Sequence, residues 1–203
     1  MTALIAAWLA HLLAAASPGP AILLAARTGV TQGFRTGFWL CLGLAIGALV
    51  WAMAALFGLA ALFRIAPTLL WAFKLAGAGF LIWIAVQMWR HARDPLELPA
   101  AGIAVPQSAD AAFRLGLFAQ LANPKPAIFF GAVFVAAVPP GTAPLLVTTL
   151  LAGVFANELI CTLAVARAFS LAAPRRAYQR FKTVIDRAFG GALAALGAKL
   201  ATT

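Results

Sequence analysis

The chain has 203 residues, 64% of them hydrophobic and only 10% charged, and its mean hydropathy is +0.98. That is more apolar surface than one water-soluble core of this size can hide, so a bilayer is the expected solvent. The net charge of +10 sets fifteen Lys and Arg against five acids, Asp94, Glu97, Asp110, Glu158 and Asp186. These cations sit at the ends of apolar runs, where membrane topology accounts for them and nucleic-acid binding is not expected.

A spanning helix needs about 20 largely apolar residues. Six runs qualify, at roughly 3–26, 37–63, 67–89, 113–138, 144–170 and 183–201. The first opens like a signal peptide over Met1 to Ala16, but it lacks a basic start and resumes after Pro20, so a retained span is expected. Ser17-Pro18-Gly19-Pro20 interrupts it. Around the start of the second run, Gly33, Gly37, Gly43 and Gly47 form small-xxx-small pairs suited to close helix packing. The third run carries Lys74 near its start. A polar, proline-rich loop with Pro95, Pro99 and Pro106 follows. Within the fourth run Asn123-Pro124-Lys125-Pro126 repeats the first motif, and the fifth run holds Asn157, Glu158, Cys161 and Thr162.

Three spans per half make the second half enter the membrane from the opposite side, so the repeat is inverted. The expected fold is an all-α polytopic membrane protein of six transmembrane helices. They form two inverted repeats of three, with proline-broken first and fourth helices. The chain reads as a single transporter domain over 1–203, with repeat one at 1–90, a cytoplasmic loop at 91–112 and repeat two at 113–203. Arg27, Arg35, Arg90, Arg93, Arg114, Arg175, Arg176, Arg180 and Lys182 fall on one side, which is therefore expected to be cytoplasmic, with both termini outside. Arg27 lies ten positions after Ser17, and Pro124 ten after Arg114. At about 1.5 Å per residue both motifs come about 15 Å from the cytoplasmic boundary, near the middle of a core about 30 Å thick.

Pro18 and Pro20 cannot donate to the carbonyls of Ala14 and Ala16, nor Pro124 and Pro126 to those of Gln120 and Ala122. Non-helical backbone at midplane is tolerated where protein buries it or where it lines a wet cavity. Paired interruptions in matching segments are the best sequence pointer to a transport site. Ser17 and Asn123 also read as N-caps of new half-helices. Helix N-termini favour anions and freed carbonyls favour cations, so a small zwitterion suits the place. The expected substrate-binding residues are Ser17, Pro18, Gly19, Pro20, Asn123, Pro124 and Lys125. Glu158, the one acid at a segment centre, is the candidate for proton coupling or for holding a substrate ammonium. The alternative is a structural carboxylate paired with Lys125 or Arg167. His11, with an ordinary pKa of about 6.5, is a candidate proton relay or a neutral bridge between helices.

These residues resemble the LysE/RhtB family of amino-acid exporters. The likeness covers nearly the whole chain: Ser17-Pro18-Gly19-Pro20, Lys74-Leu75-Ala76-Gly77-Ala78-Gly79-Phe80-Leu81, Asn123-Pro124-Lys125 with Ala127 and Phe129-Phe130, and Arg187 with Gly190. The chain departs from the family's pattern at Ala21, where Asp or Asn is common, and at Phe80, where Tyr is common. The resemblance implies a bacterial inner-membrane secondary transporter that exports amino acids or close analogues, driven by protons. Its partners would be an amino-acid substrate, lipid and protons, with a homodimer as the candidate assembly. A passive channel for a small solute is the alternative. A membrane thiol oxidoreductase using Cys41 and Cys161 ranks below it, because no cation beside either thiol would activate it. The two Cys and two His offer neither a disulfide framework nor a zinc site, and no Ser/His pair has an orienting acid. No cofactor, no metal and no enzymatic activity are expected.

Overall fold

A computed structural model describes residues 2–17, 19–59, 75, 78–79, 82–83, 85–87, 89–94, 108–134, 138–139, 141–172, 180–184, 186–188, 190–191, 194–195, 198 and 201. Pro18, Lys74, Phe80 and the loop prolines 95, 99 and 106 lie outside them, as does much of the third and sixth expected spans. The regular structure among the described residues is entirely helical, without a strand.

Helix α1 (Thr2–Ala16) is Ala- and Leu-rich and ends where Pro18 removes the next donor. Helix α2 (Pro20–Met53) starts on a proline, which has no N–H to leave unpaired in the first turn, and runs into a π-helical stretch, Ala54–Leu59. Helix α3 (Ala109–Leu121) begins four residues before the expected span because the Ser108 side chain accepts from Ala111 N–H at 3.1 Å. Helix α4 (Pro124–Phe129) follows the second break and passes into a π-helical stretch, Phe130–Phe134. Helix α5 (Pro144–Phe169) again starts on a proline.

Gly33 departs from the packing role expected of it. It has φ 77° and ψ 178° inside α2, a left-handed conformation that side-chain-bearing residues avoid, and a Cβ there would meet nothing within 4 Å. Gly29 and Gly37, about 12 Å apart along a straight helix, both lie against Ala166 of α5. The chain therefore bends sharply at Gly33, so that the second and fifth expected spans and the end of the first meet. Beyond the bend, the stretch to Gly58 has about 25 residues and about 37 Å of rise, enough to cross a bilayer. Pro20–Gly58 and Pro144–Phe169 are the two helices among the described residues that are long and apolar enough to do so.

Helix α2 packs on α5 and α3, and α1 packs on α5. Gly43 and Gly47 of α2 and Gly116 of α3 do serve close approach. A Cβ on Gly43 would strike the Phe113 carbonyl, one on Gly116 the Leu40 carbonyl, and one on Gly47 would come 2.7 Å from Gln120 Cβ. Small residues let these backbones touch, which is how helices gain van der Waals contact in lipid. At another edge, Lys182 Nζ donates to the His91 carbonyl at 2.8 Å and to Asp186 Oδ2 at 2.7 Å, and Trp89 Nε1 donates to the Arg187 carbonyl at 3.0 Å. These bonds staple residues 89–92 to the start of the sixth expected span.

The distribution of polarity is inverted relative to a water-soluble protein. His11, Ser17, Gln120, Asn157, Glu158 and Thr162 are buried, whereas Leu145, Ile160 and Phe118 are exposed by 76, 65 and 63%. Apolar outside and hydrogen-bonded polar inside is the arrangement that a hydrocarbon solvent selects.

Candidate functional site

The two breaks meet. Lys125, one residue into α4, donates from Nζ to the Ser17 carbonyl at 3.1 Å and to Ser17 Oγ at 2.6 Å. Asn123 acts as the expected N-cap, its Oδ1 accepting from Lys125 N–H at 3.1 Å, and so fixes the backbone from which the lysine projects. Ser17 does not cap a new helix. Its Oγ turns back to donate to the Ala14 carbonyl at 2.8 Å, and its N–H reaches the same carbonyl at 3.2 Å. The N-cap of α2 is Gly19, without a side-chain bond. The acceptor that Pro18 leaves free is thus recovered locally, and the Ser17 carbonyl becomes the acceptor open to a cation. At the second break the Gln120 carbonyl, expected to be unpaired, receives Trp51 Nε1 at 3.3 Å and Asn123 N–H at 3.2 Å.

Glu158 of α5 is 4% exposed. Its Oε1 accepts from Gln120 Nε2 of α3 at 2.9 Å, and its Oε2 lies 3.7 Å from His11 Nε2 of α1. Thr162 Oγ1 donates back to the Glu158 carbonyl at 2.7 Å, which keeps that hydroxyl satisfied inside the helix. The structure pairs Glu158 with neither of the cations weighed for it, since Lys125 bonds Ser17 and Arg167 lies over the Phe34 ring at 5.5 Å. His11 stacks on Phe130, centroids 5.2 Å apart, and packs against Phe129 and Phe134. Asn157 Nδ2 donates to the Trp8 carbonyl at 3.2 Å and approaches His11 Nδ1 at 3.5 Å. With Nδ1 as acceptor, the ring proton sits on Nε2, directed at Glu158.

These groups surround one cavity, lined by His11, Ala14, Ala15, Gly19, Ala21, Ile22, Gln120, Asn123, Lys125, Pro126, Phe129, Phe130 and Glu158. It measures about 30 Å³, on a scale where one water needs about 10–15 Å³. It is therefore large enough for water. Among the described residues Lys125 is the one Lys or Arg in its lining and Glu158 the one carboxylate. The two charges offset each other inside a shared low-dielectric space.

Of the residues singled out from sequence, Gly19, Asn123, Lys125, Glu158 and His11 line the cavity, and Ser17 joins it through Lys125. Pro20 is exposed and outside the lining, and Pro18 is outside the described residues. Sequence reasoning named the Gln120 carbonyl but not its side chain, and did not single out Trp51. The available signal for Gln120 was an amide at the end of α3, three residues before the Asn123-Pro124 break.

Residues 12–203 match the family model for the LysE type translocator. The threonine efflux protein of Escherichia coli K12 is 35% identical over 189 residues, which is 90% of this chain and 89% of that one. The homoserine/homoserine lactone efflux protein of Salmonella typhimurium LT2 is 29% identical over 203 residues, 96% of each chain. No solved structure matches the chain. Since the family's pattern extends over almost every residue and the relatives are nearly coextensive with it, this chain belongs to the LysE type translocators, membrane transport proteins and not enzymes.

Proposed function

We propose that the protein exports a small amino acid of the threonine and homoserine kind from the cytoplasm across the bacterial inner membrane, in exchange for protons, through the cavity where the two proline motifs meet. The observation that carries this reading is the bond from Lys125 Nζ to the Ser17 carbonyl and hydroxyl, which joins residues 108 positions apart at the two breaks. A substrate carboxylate would draw the Lys125 ammonium off Ser17. The substrate ammonium would then have the freed Ser17 carbonyl and the Glu158 carboxylate as acceptors. Glu158 holds either an ammonium or a proton, because both neutralise the same carboxylate, and that exclusivity turns binding into antiport. His11, with Nε2 toward Glu158, is the relay.

In this reading six spans form two inverted repeats of three with both termini periplasmic, and alternating access rocks one repeat against the other around the cavity. The cavity is built within one chain, so a homodimer would carry two. Membership of a transport family removes the thiol oxidoreductase alternative. The test is efflux from proteoliposomes loaded with mixed amino acids, with and without an imposed pH gradient, read by mass spectrometry. Saturable, gradient-dependent loss of small hydroxylated amino acids supports the proposal. Loss that neither saturates nor follows the gradient replaces it with a channel.

A further inference from the structure

Gln120 is 2% exposed, lines the cavity, and uses only half of its amide. Its Nε2 donates to Glu158, while its Oε1 has no hydrogen-bond partner. The amide cannot turn round to improve this while Glu158 is ionised, because two acceptor oxygens would then face each other. The residue is also held from behind. Trp51 Nε1 binds its carbonyl at 3.3 Å, and Gly47 sits so close that a Cβ there would come 2.7 Å from Gln120 Cβ and 3.0 Å from Cγ. A buried acceptor, out of a water's reach as the cavity stands, is thus held on a residue of its lining with no donor from the protein, which is a costly arrangement for a group of no use.

We propose that Gln120 is a specificity-determining residue whose Oε1 accepts a hydrogen bond from the side-chain hydroxyl of the transported amino acid. The inference rests on the efflux reading above and assigns the third polar group of the substrate. Charge decides the division. The substrate carboxylate belongs with Lys125 and its ammonium with Glu158, so the neutral amide oxygen is left for a neutral donor. Of the other acceptors in the lining, Asn123 Oδ1 is taken by Lys125 N–H, His11 Nδ1 faces Asn157 Nδ2 at 3.5 Å, and the Glu158 oxygens face Gln120 and His11. A substrate without the hydroxyl leaves Oε1 unpaired in the closed site, and this separates it from its hydroxylated counterpart.

Threonine and homoserine share one deoxy analogue, 2-aminobutyrate, so a single comparison serves both. In proteoliposomes the wild type should favour each hydroxy amino acid over 2-aminobutyrate by about tenfold in kcat/KM, the scale of one buried hydrogen bond. Gln120→Met, similar in length but without the acceptor, should bring that ratio to about one whatever its absolute rate. A ratio unchanged in Gln120→Met overturns the assignment and leaves Gln120 as a support for Glu158. Should that variant fail to fold, the wild type decides through 2-amino-4-fluorobutyrate, whose fluorine fills the hydroxyl's place but cannot donate. Competition as weak as that of 2-aminobutyrate supports the proposal, and competition equal to that of homoserine overturns it. A wild type that moves no amino acid at all rejects the efflux reading itself, and with it this one.

Discussion

Replacing Lys125 by Met separates what the lysine does for the fold from what it does for transport. In the protein its Nζ makes two charge-assisted hydrogen bonds, to Ser17 Oγ at 2.6 Å and to the Ser17 carbonyl at 3.1 Å. Each contributes about 1.5–3 kcal/mol. Removing the ammonium also relieves a desolvation penalty of several kcal/mol, so the two terms nearly cancel in stability. The net loss should stay near the cost of leaving the Ser17 carbonyl unpaired, about 1–3 kcal/mol, together with the charge offset that Glu158 loses. Substrate binding has no such compensation. A carboxylate about 4 Å from the ammonium gains about 4 kcal/mol at an effective dielectric of about 20, and losing it lowers kcat/KM by about 10³-fold. The assay is initial efflux rate against substrate concentration in proteoliposomes, with thermal unfolding in detergent measured on the same preparation. Flux within about threefold of wild type would refute the assignment of Lys125 to the substrate carboxylate. A collapse of folding with the flux would refute the cancellation.

Glu158→Gln keeps an acceptor for Gln120 but cannot alternate between proton and ammonium. It should end pH-gradient-driven efflux while leaving some substrate-for-substrate exchange, measured with isotope-labelled amino acid on both sides. Gly47→Ala puts a methyl group 2.7 Å from Gln120 Cβ and 3.2 Å from the Leu117 carbonyl. That overpacking should cost about 1–3 kcal/mol and reduce efflux, whereas Gly58→Ala, with nothing within 4 Å, should leave both unchanged in the same unfolding and flux assays. Trp51→Phe removes the indole donor from the Gln120 carbonyl and should lower stability by about 1 kcal/mol. A midpoint equal to that of wild type would show that Asn123 N–H alone suffices for that carbonyl.

The helix breaks were legible because they are covalent. Proline has no N–H and a fixed φ wherever the chain places it, so α1 ends at Ala16 and α4 begins at Pro124 whatever packs around them. The bilayer preference followed from composition alone, and Glu158 declared itself as the one acid at the centre of an apolar run. Asn123 was legible as a cap for the same local reason: its side chain reaches only two residues along the chain.

Other assignments depended on helices far apart in sequence coming together. Ser17 has the composition of an N-cap, yet its hydroxyl closes α1, because the Ala14 carbonyl is nearer and Lys125 arrives on the other side. Gly33 belongs to a regular series of glycines, but the bend at Gly33 gives it a left-handed φ, while Gly43 and Gly47 pack on α3. Glu158 had plausible cations in Lys125 and Arg167 and instead took Gln120 and His11, 38 residues away in one case and on α1 in the other. Residue type and local spacing therefore determined the solvent, the breaks and the presence of a buried charge. The partner of each polar group was decided by tertiary packing, because a hydrogen bond is made or lost within a few tenths of an ångström and only the close approach of glycine-faced helices sets those distances.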